Sequence, residues 1–353
     1  MKTTDLMAAL AGLMLPVSGI AACAGQDIEK SGNANTAGKY SNPVLDRSVP
    51  DPTVIRTKDG TYYMYGTEDT RNIPIFKSKD MVNWTFAGTA FTQESRPSWD
   101  NPEGKKHSLW APEIRYLDGK YVLYYSWARW GDEWESNVGV AVSASPEGPF
   151  EDLGCLIDAN APEINVRNSI DQFYIKDHGK HYLFWGSFSG IYVVELESDG
   201  LSVKRDKDGM PVLKQQVCGT AFEGVNIYKK GKYYYLFASV GACCNGANST
   251  YKTVVGRSEN ILGPYVDKNG KKMLDNGYEV VIQGDATWAG PGHNSIIQTD
   301  DAGQEWMIYH GYRKAAADKG RVVLLDKLQW AQDGWPYVEG KAPSEKAEAP
   351  VIR

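Results

Sequence analysis

Five tight turns along the chain each lead from a glycine into an aromatic strand, as in Gly60-Thr-Tyr-Tyr-Met-Tyr. The five glycines are Gly60, Gly119, Gly179, Gly231 and Gly303. They lie between 52 and 72 residues apart, which indicates one structural unit repeated with loops of variable length. A candidate functional side chain stands upstream of each turn, and we expect the repeat to bring these side chains to equivalent places. They are Asp51, Glu113, Asp171, Glu223 and His293.

The repeated unit predicts the fold. Short β-branched and aromatic runs flank each turn, and weaker strands follow, so that a unit contains about four antiparallel strands. Apolar residues between positions 41 and 335 do not recur at helical spacing. Five such units predict an all-β protein, a five-bladed β-propeller over residues 41–345. A β-sandwich is the alternative, but it would not explain why a polar residue accompanies each aromatic hairpin.

The charge balance argues against a nucleic-acid partner. The chain has 38 Lys and Arg against 44 Asp and Glu, a formal net charge of −6, and no basic run that could neutralise a phosphate backbone.

The N-terminus reads as an export signal. An apolar run from Leu6 to Ala22 follows Lys2 and ends at Cys23. The residues before that cysteine resemble the lipobox of bacterial lipoproteins, which predicts a lipoprotein signal peptide over residues 1–22; ordinary cleavage near Ala22 is the alternative. Residues 23–40 are small and polar and predict a flexible tether. We therefore expect an exported protein, lipid-anchored to the bacterial cell envelope at the periplasm or the cell surface, with no other membrane contact.

In a propeller, the starts of the innermost strands converge near the axis, so the polar residues upstream of the turns would meet there. Neighbouring carboxyl groups separate each other's pKa values, which suits a reaction that needs one group protonated and another ionised. Glycoside hydrolysis is such a reaction. Each residue also has a structural interpretation: Asp51 precedes Pro52, and Asp-Pro commonly opens a turn.

Several segments, in this order and spacing, are similar to one known family. They include Asp51-Pro-Thr-Val, Leu109-Trp-Ala-Pro-Glu-Ile114, Ser169-Ile-Asp171, Gly186-Ser-Phe-Ser-Gly-Ile191, Phe222-Glu-Gly and Gly290-Pro-Gly-His293. From Ser41 to Tyr337 the chain resembles glycoside hydrolase family 43, especially its endo-arabinanase-like members. The resemblance implies hydrolysis of α-L-arabinofuranosyl linkages in plant arabinan by single-step inversion.

The resemblance also implies roles for three carboxyl groups. Asp51 would be the general base, Glu223 the general acid, and Asp171 the group that orients the acid and tunes its pKa. An inverting enzyme keeps its acid and base about 6.5–9.5 Å apart to admit a water molecule.

Further site residues are predicted around these three. Glu113 matches a position near the substrate, and Trp110 would stack on a sugar or fill a blade interface. Trp127 and Trp130 belong to a tryptophan-rich stretch that could wall off substrate subsites. By resemblance, His293 helps to hold a largely water-coordinated cation, usually calcium, although a lone histidine is more often a core residue. No organic cofactor is expected.

Two departures from the endo-arabinanase pattern affect substrate choice. Pro50 stands where histidine is common, and Gln172 where proline is usual. The alternatives are an exo-acting α-L-arabinofuranosidase, a β-xylosidase of the same family, or a non-catalytic glycan-binding propeller on the cell surface. We expect a monomer. Cys243 and Cys244 could form a vicinal disulfide or remain two thiols.

Overall fold

The computed structural model describes residues 38–67, 72–99 and 107–353. Within these ranges the strands form five antiparallel sheets and one two-stranded sheet, with no α-helix. The five sheets are the blades of a five-bladed β-propeller, as predicted. The predicted signal peptide and the tether up to residue 37 lie outside the described residues. No helix in the described part of the chain is long and apolar enough to cross a membrane.

The first three blades each contain four strands that pair in chain order. Blade 1 contains β2 (Thr53–Arg56), β3 (Tyr62–Tyr65), β4 (Pro74–Ser78) and β5 (Thr85–Thr89). Blade 2 contains β6 (Ser108–Leu117), β7 (Lys120–Ala128), β8 (Asn137–Ser143) and β9 (Glu151–Asp158). Blade 3 contains β10 (Phe173–Asp177), β11 (Lys180–Trp185), β12 (Ile191–Leu196) and β13 (Lys214–Cys218).

The last two blades complete the ring, and short 3₁₀-helices lie in the connections. Blade 4 contains β14 (Glu223–Lys230), β15 (Tyr233–Val240), β16 (Lys252–Ser258) and β17 (Glu279–Ile282). Blade 5 contains β18 (Trp288–Gly292), β19 (Gln298–Thr299), β20 (Glu305–Arg313), β21 (Val322–Trp330) and β22 (Pro336–Tyr337). The described 3₁₀-helices span Glu133–Glu135, Gly246–Asn248, Met273–Asp275, Lys314–Lys319 and Glu339–Lys341.

The five glycine turns connect the innermost strand of each blade to the second strand. All five glycines have positive φ, between 59° and 87°, where a side chain would be strained. In blade 5 the turn joins β19 to β20, and β18 also pairs with β20, so β18 and β19 together form the innermost strand. The aromatic residues after the turns fill the spaces between blades: Phe237 of blade 4, for example, packs in one buried cluster with Trp288 and Tyr309 of blade 5.

The ends of the chain meet in an additional sheet. Strand β1 (Lys39–Ser41) pairs with β23 (Lys346–Glu348). Tyr40 is buried, and its hydroxyl donates to the carbonyl of Leu325 in blade 5 (2.5 Å). The predicted limits at residues 41 and 345 therefore leave out all of this sheet except Ser41, and the predicted tether overlaps its first strand.

Near the start of each innermost strand one residue adopts the left-handed backbone region. These residues are Asp51, Ala111, Asp171, Gly224 and Gly290, with φ between 41° and 62°. Each lies two positions before a residue that pairs with the second strand: Thr53, Glu113, Phe173, Asn226 and Gly292. In blades 2, 4 and 5 the left-handed residue lies in a β-bulge, which redirects side chains locally.

The register shows that the five polar residues upstream of the turns do not all occupy equivalent positions in their blades, contrary to the expectation from the repeat. Asp51 and Asp171 occupy the same position in their blades. Glu113 lies two residues further along its strand, Glu223 one residue earlier, and His293 three residues later. Catalytic candidates therefore reach the axis from different positions of a shared scaffold.

Candidate active site

A cavity of about 440 Å³ opens where the innermost strands begin, and residues from all five blades line it. Six of the eight predicted site residues line it: Asp51, Trp110, Trp130, Asp171, Glu223 and His293.

Asp51 is a buried carboxylate surrounded by positive charge. Its Oδ1 lies 3.0 Å from Arg321 Nη1 and 3.2 Å from His293 Nδ1, and its Oδ2 accepts a hydrogen bond from Thr67 Oγ1 (2.5 Å). Its backbone N–H donates to His310 Nδ1 (3.0 Å), which supports the left-handed backbone at this residue. Burial alone raises a carboxyl pKa, but Arg321 and His293 outweigh burial and hold the pKa of Asp51 well below its ordinary value. Asp51 is therefore ionised near neutral pH.

Glu223 begins β14 and has the opposite electrostatic environment. It is buried, and Ser187 Oγ donates to its Oε2 (2.7 Å). Burial raises the pKa of Glu223, and the negative charge of Asp51 adds to the increase, although Tyr251, Ser187 and His293 partly oppose it. This environment favours a protonated Glu223, so the cavity contains both a carboxylate that can accept a proton and a carboxyl group that can donate one.

Asp171 interacts with both Asp51 and Glu223. Its Oδ2 accepts the backbone N–H of Gly224 (3.0 Å), the residue after Glu223, and its own N–H donates to Ser126 Oγ (3.1 Å). Burial raises the pKa of Asp171 to about 7, with further increases from Glu223 and Asp51. Asp171 therefore holds the start of β14 and is electrostatically coupled to Glu223.

Gln172, which replaces the usual proline, ties blade 2 to blade 3. Its Nε2 donates to the carbonyl of Ala111 (2.6 Å), and its Oε1 accepts from Ser126 Oγ (3.0 Å). The amide thus braces the strand start that carries Asp171.

The fit of the predicted calcium ion can be tested on the residues around His293. Calcium typically takes about six to eight oxygen ligands. In the described ranges no group of three or more His, Cys, Asp or Glu side chains is arranged to hold a metal ion. His293 Nδ1 faces Asp51 and, at 3.9 Å, Asp171 Oδ2. Burial lowers the pKa of His293, but these two carboxyl groups outweigh it and raise the pKa to about 9.

A protonated imidazole has no lone pair for a metal. The raised pKa favours a charged His293 ring beside Asp51 and Asp171. The calcium ion stays a prediction, and no chemical step is derived through it.

The tryptophan-rich stretch forms one wall of the cavity. Trp130 is 73% exposed and lies against Trp110, with the ring centroids 5.4 Å apart. Backbone bonding fixes this wall to blade 3, because the N–H of Asn168 donates to the carbonyl of Glu133 (2.7 Å). The two tryptophans thus present a supported aromatic surface of the kind that packs against sugar rings.

The structure does not bring Trp127 and Glu113 into the cavity lining. Trp127 is buried and stacks on His107, with the ring centroids 3.5 Å apart. Glu113 is buried, accepts a hydrogen bond from Thr53 Oγ1 (2.8 Å) and forms an ion pair with Arg115. Both positions fit structural roles, because their polar and aromatic groups are already occupied inside the propeller.

Sequence reasoning missed several functional side chains. Arg321 follows a 3₁₀-helix and belongs to no sequence motif. Ser187 lies in Gly186–Ile191, a segment that carries the family resemblance but does not by itself indicate a role for this serine. Cys243 and Cys244, for which the sequence left a disulfide and two thiols open, form a vicinal disulfide that lines the cavity.

Comparisons with known proteins identify the family and the fold. The sequence model of the family described as Glycosyl hydrolases family 43 matches residues 40–336. The chain is 36% identical to the "Extracellular exo-alpha-(1->5)-L-arabinofuranosidase ArbA" of Cellvibrio japonicus, over 83% of this chain and 87% of the relative. It is 34% identical to the "Extracellular endo-alpha-(1->5)-L-arabinanase 1" of Bacillus subtilis, over 81% and 86% of the two chains. The solved structure of a Cellvibrio cellulosa alpha-L-arabinanase with arabinohexaose superposes with a TM-score of 0.70 at 34% identity, covering 84% of this chain and 96% of that one.

Proposed function

We propose that this chain, which belongs to family 43 of the glycosyl hydrolases, hydrolyses α-L-arabinofuranosyl linkages of plant arabinan with inversion at the anomeric carbon. One observation carries the proposal: an ionised Asp51 and a buried Glu223 with a raised pKa line the same cavity. Opposite charge states in one site are what a single-step hydrolysis requires.

In the proposed reaction a water molecule attacks the anomeric carbon while Asp51 takes one of its protons. The bond from that carbon to the leaving oxygen breaks, its electron pair stays on the oxygen, and Glu223 supplies the proton that neutralises it. Asp171 holds the backbone next to Glu223 through Gly224 and, when ionised, favours the protonated acid. Arg321 and His293 keep Asp51 ready to act as the base.

The names of the relatives support arabinan as the substrate, and they include both an exo-acting and an endo-acting enzyme. Exo action on the same linkage is therefore the second candidate, favoured by the 36% identity to the relative named as an exo enzyme. Trp110 and Trp130 are the proposed contacts to the sugar chain, since they form the aromatic wall of the cavity.

Export belongs to the same proposal, because both curated relatives are named extracellular. The lipid anchor at Cys23, which rests on the sequence pattern alone, and the monomeric state are parts of this proposal. A calcium ion at His293 rests on the resemblance, and metal analysis of the purified protein would test it.

The test is incubation with linear arabinan, branched arabinan and xylo-oligosaccharides, with the first anomer released followed by NMR. We expect arabinose or arabino-oligosaccharides, initially of inverted configuration. Oligomers from linear arabinan would indicate endo action, and monosaccharide alone exo action. Glu223→Gln should abolish hydrolysis, whereas the control Glu195→Gln, at a buried acid bound by Lys180 and Lys204, should not. Initial release of the retained anomer would exclude the mechanism.

A further inference from the structure

Tyr251 has a buried hydroxyl that acts on the pKa of Glu223, and among the described residues this hydroxyl makes no hydrogen bond of good geometry. The residue is 1% exposed and stands just before β16. Strand β16 pairs Thr253 with Ser239, and Ser239 pairs in turn with Glu223. Tyr251 therefore lies on the blade that carries the acid, close to where its innermost strand starts.

The ring of Tyr251 is held rigidly in this place. It stacks on His310 with the ring centroids 5.7 Å apart and the planes 9° apart. On another side it packs against Gly292, where an added Cβ would lie 2.3 Å from Tyr251 Cδ1. The hydroxyl thus cannot find another partner by moving the ring, because packed neighbours leave the ring little room.

The hydroxyl and the acid influence each other. Burial raises the pKa of Glu223, and a long or poorly aligned hydrogen bond from Tyr251 is the largest effect that opposes this increase. Burial, followed by the negative charge of Glu223, raises the pKa of Tyr251 well above its ordinary value. Ser187 already donates to Glu223 Oε2. A protonated Glu223 gains little from a second hydrogen-bond donor, whereas an ionised Glu223 carboxylate can accept several hydrogen bonds.

We propose that Tyr251 is a positioning residue that donates a hydrogen bond to Glu223 as Glu223 loses its proton to the leaving oxygen. The inference rests on the proposed function and deepens it. Before the reaction the buried hydroxyl makes only a long or poorly aligned contact with Glu223, which leaves it poorly satisfied and is unfavourable. As negative charge develops on Glu223, the hydroxyl gains a charge-assisted partner, so the interaction is stronger in the transition state than in the ground state.

The experiment compares Tyr251→Phe with wild type on two substrates. Hydrolysis of an arabino-oligosaccharide needs the acid, whereas a dinitrophenyl α-L-arabinofuranoside has a leaving group that departs without protonation. We expect kcat on the oligosaccharide to fall about 10- to 100-fold with KM nearly unchanged. On the dinitrophenyl substrate kcat should fall by less than about threefold, which also shows that the variant is folded.

Tyr62→Phe is the matched control. Tyr62 is fully buried in blade 1, and within the described ranges its hydroxyl also has no hydrogen-bond partner. The charged groups that act on its pKa are Arg56, Asp301 and Asp300, and Glu223 is not among them. We expect this variant to keep wild-type kcat on both substrates. A loss equal to that of Tyr251→Phe would attribute the effect to packing and overturn the proposal.

A pH profile gives a second readout. Activity falls at high pH as the acid loses its proton, and removal of a donor to the carboxylate raises the pKa of Glu223. The alkaline limb of kcat should therefore move to higher pH in Tyr251→Phe. The charged groups that face Glu223 are unchanged in this variant: Asp51, Asp171, His293 and Arg321.

Equal losses on both substrates, an effect confined to KM, or an unmoved alkaline limb would each overturn the role of Tyr251. Wild-type protein that hydrolyses neither substrate would instead overturn the proposed function, and the inference with it.

Discussion

Arg321→Gln tests the electrostatic basis of the site. Arg321 Nη1 lies 3.0 Å from Asp51 Oδ1, and the two side chains are 15% and 10% exposed. At an effective dielectric of about 20, unit charges at this separation attract by about 5 to 6 kcal/mol, and desolvation cancels part of this. His293 remains beside Asp51 in the variant and limits the loss. We expect the free energy of unfolding to fall by about 3 kcal/mol at neutral pH.

Urea unfolding measures this change, and Arg56→Gln is the matched control. Arg56 Nη1 lies 2.7 Å from Asp301 Oδ1, a shorter contact than that of Arg321, but the side chains are 30% and 21% exposed. Because solvent screens the more exposed pair, its loss should reduce the free energy of unfolding by about 1 kcal/mol or less.

The same variant should change catalysis in a defined direction. Arg321 helps to depress the pKa of Asp51, so its removal raises that pKa. The base must be ionised, and the acid limb of kcat/KM should therefore move to higher pH. If Arg321→Gln costs no more stability than Arg56→Gln, or the acid limb does not move, then Arg321 does not hold Asp51 ionised.

Three further predictions address other parts of the molecule. Asp326 is buried, and burial raises the pKa of its carboxyl group to about 6. The folded state therefore binds the proton of Asp326 more tightly than the unfolded state, and the stability that this proton contributes is lost as the pH rises from about 4 to 7. In urea titrations, Asp326→Asn should remove up to about 3 kcal/mol of this pH dependence. Trp130→Ala should raise KM without changing the melting temperature, because the ring is exposed in the cavity. Trp127→Ala should instead lower the free energy of unfolding by about 3 kcal/mol or more through loss of a buried ring. Equal effects of the two variants on KM would contradict the assignment of Trp130, and not Trp127, to the substrate site. Mass spectrometry without reductant should find the peptide containing Cys243 and Cys244 lighter by two hydrogens than after reduction, and an unchanged mass would show two thiols.

The fold was predictable because its signal is local and repeated. A glycine turn and the aromatic strand after it are neighbours in sequence, and all five turns adopt the positive φ that glycine permits. The limits of the domain were less predictable. Strands β1 and β23 pair residues from opposite ends of the described chain, and neither strand carries a turn or repeat signal of its own.

The site was predictable in its chemistry and less so in its geometry. The motifs pointed to Asp51, Asp171 and Glu223, which meet in one cavity. The repeat also suggested equivalent positions for all five polar residues, but β-bulges shift the register differently between blades. Trp127, in the same tryptophan-rich stretch as Trp130, is buried because it lies within β7, whereas Trp130 lies in the turn after that strand and is exposed.

The sequence by itself determined the repeated hairpins and the identity of the carboxyl groups, because both are written in contiguous residues. Only the tertiary structure decided the charge that each carboxyl group carries. Arg321 lies 270 residues from Asp51 in the chain and 3.0 Å from it in space. A pKa depends on burial and on charges within a few ångströms, and the folded chain alone sets those distances.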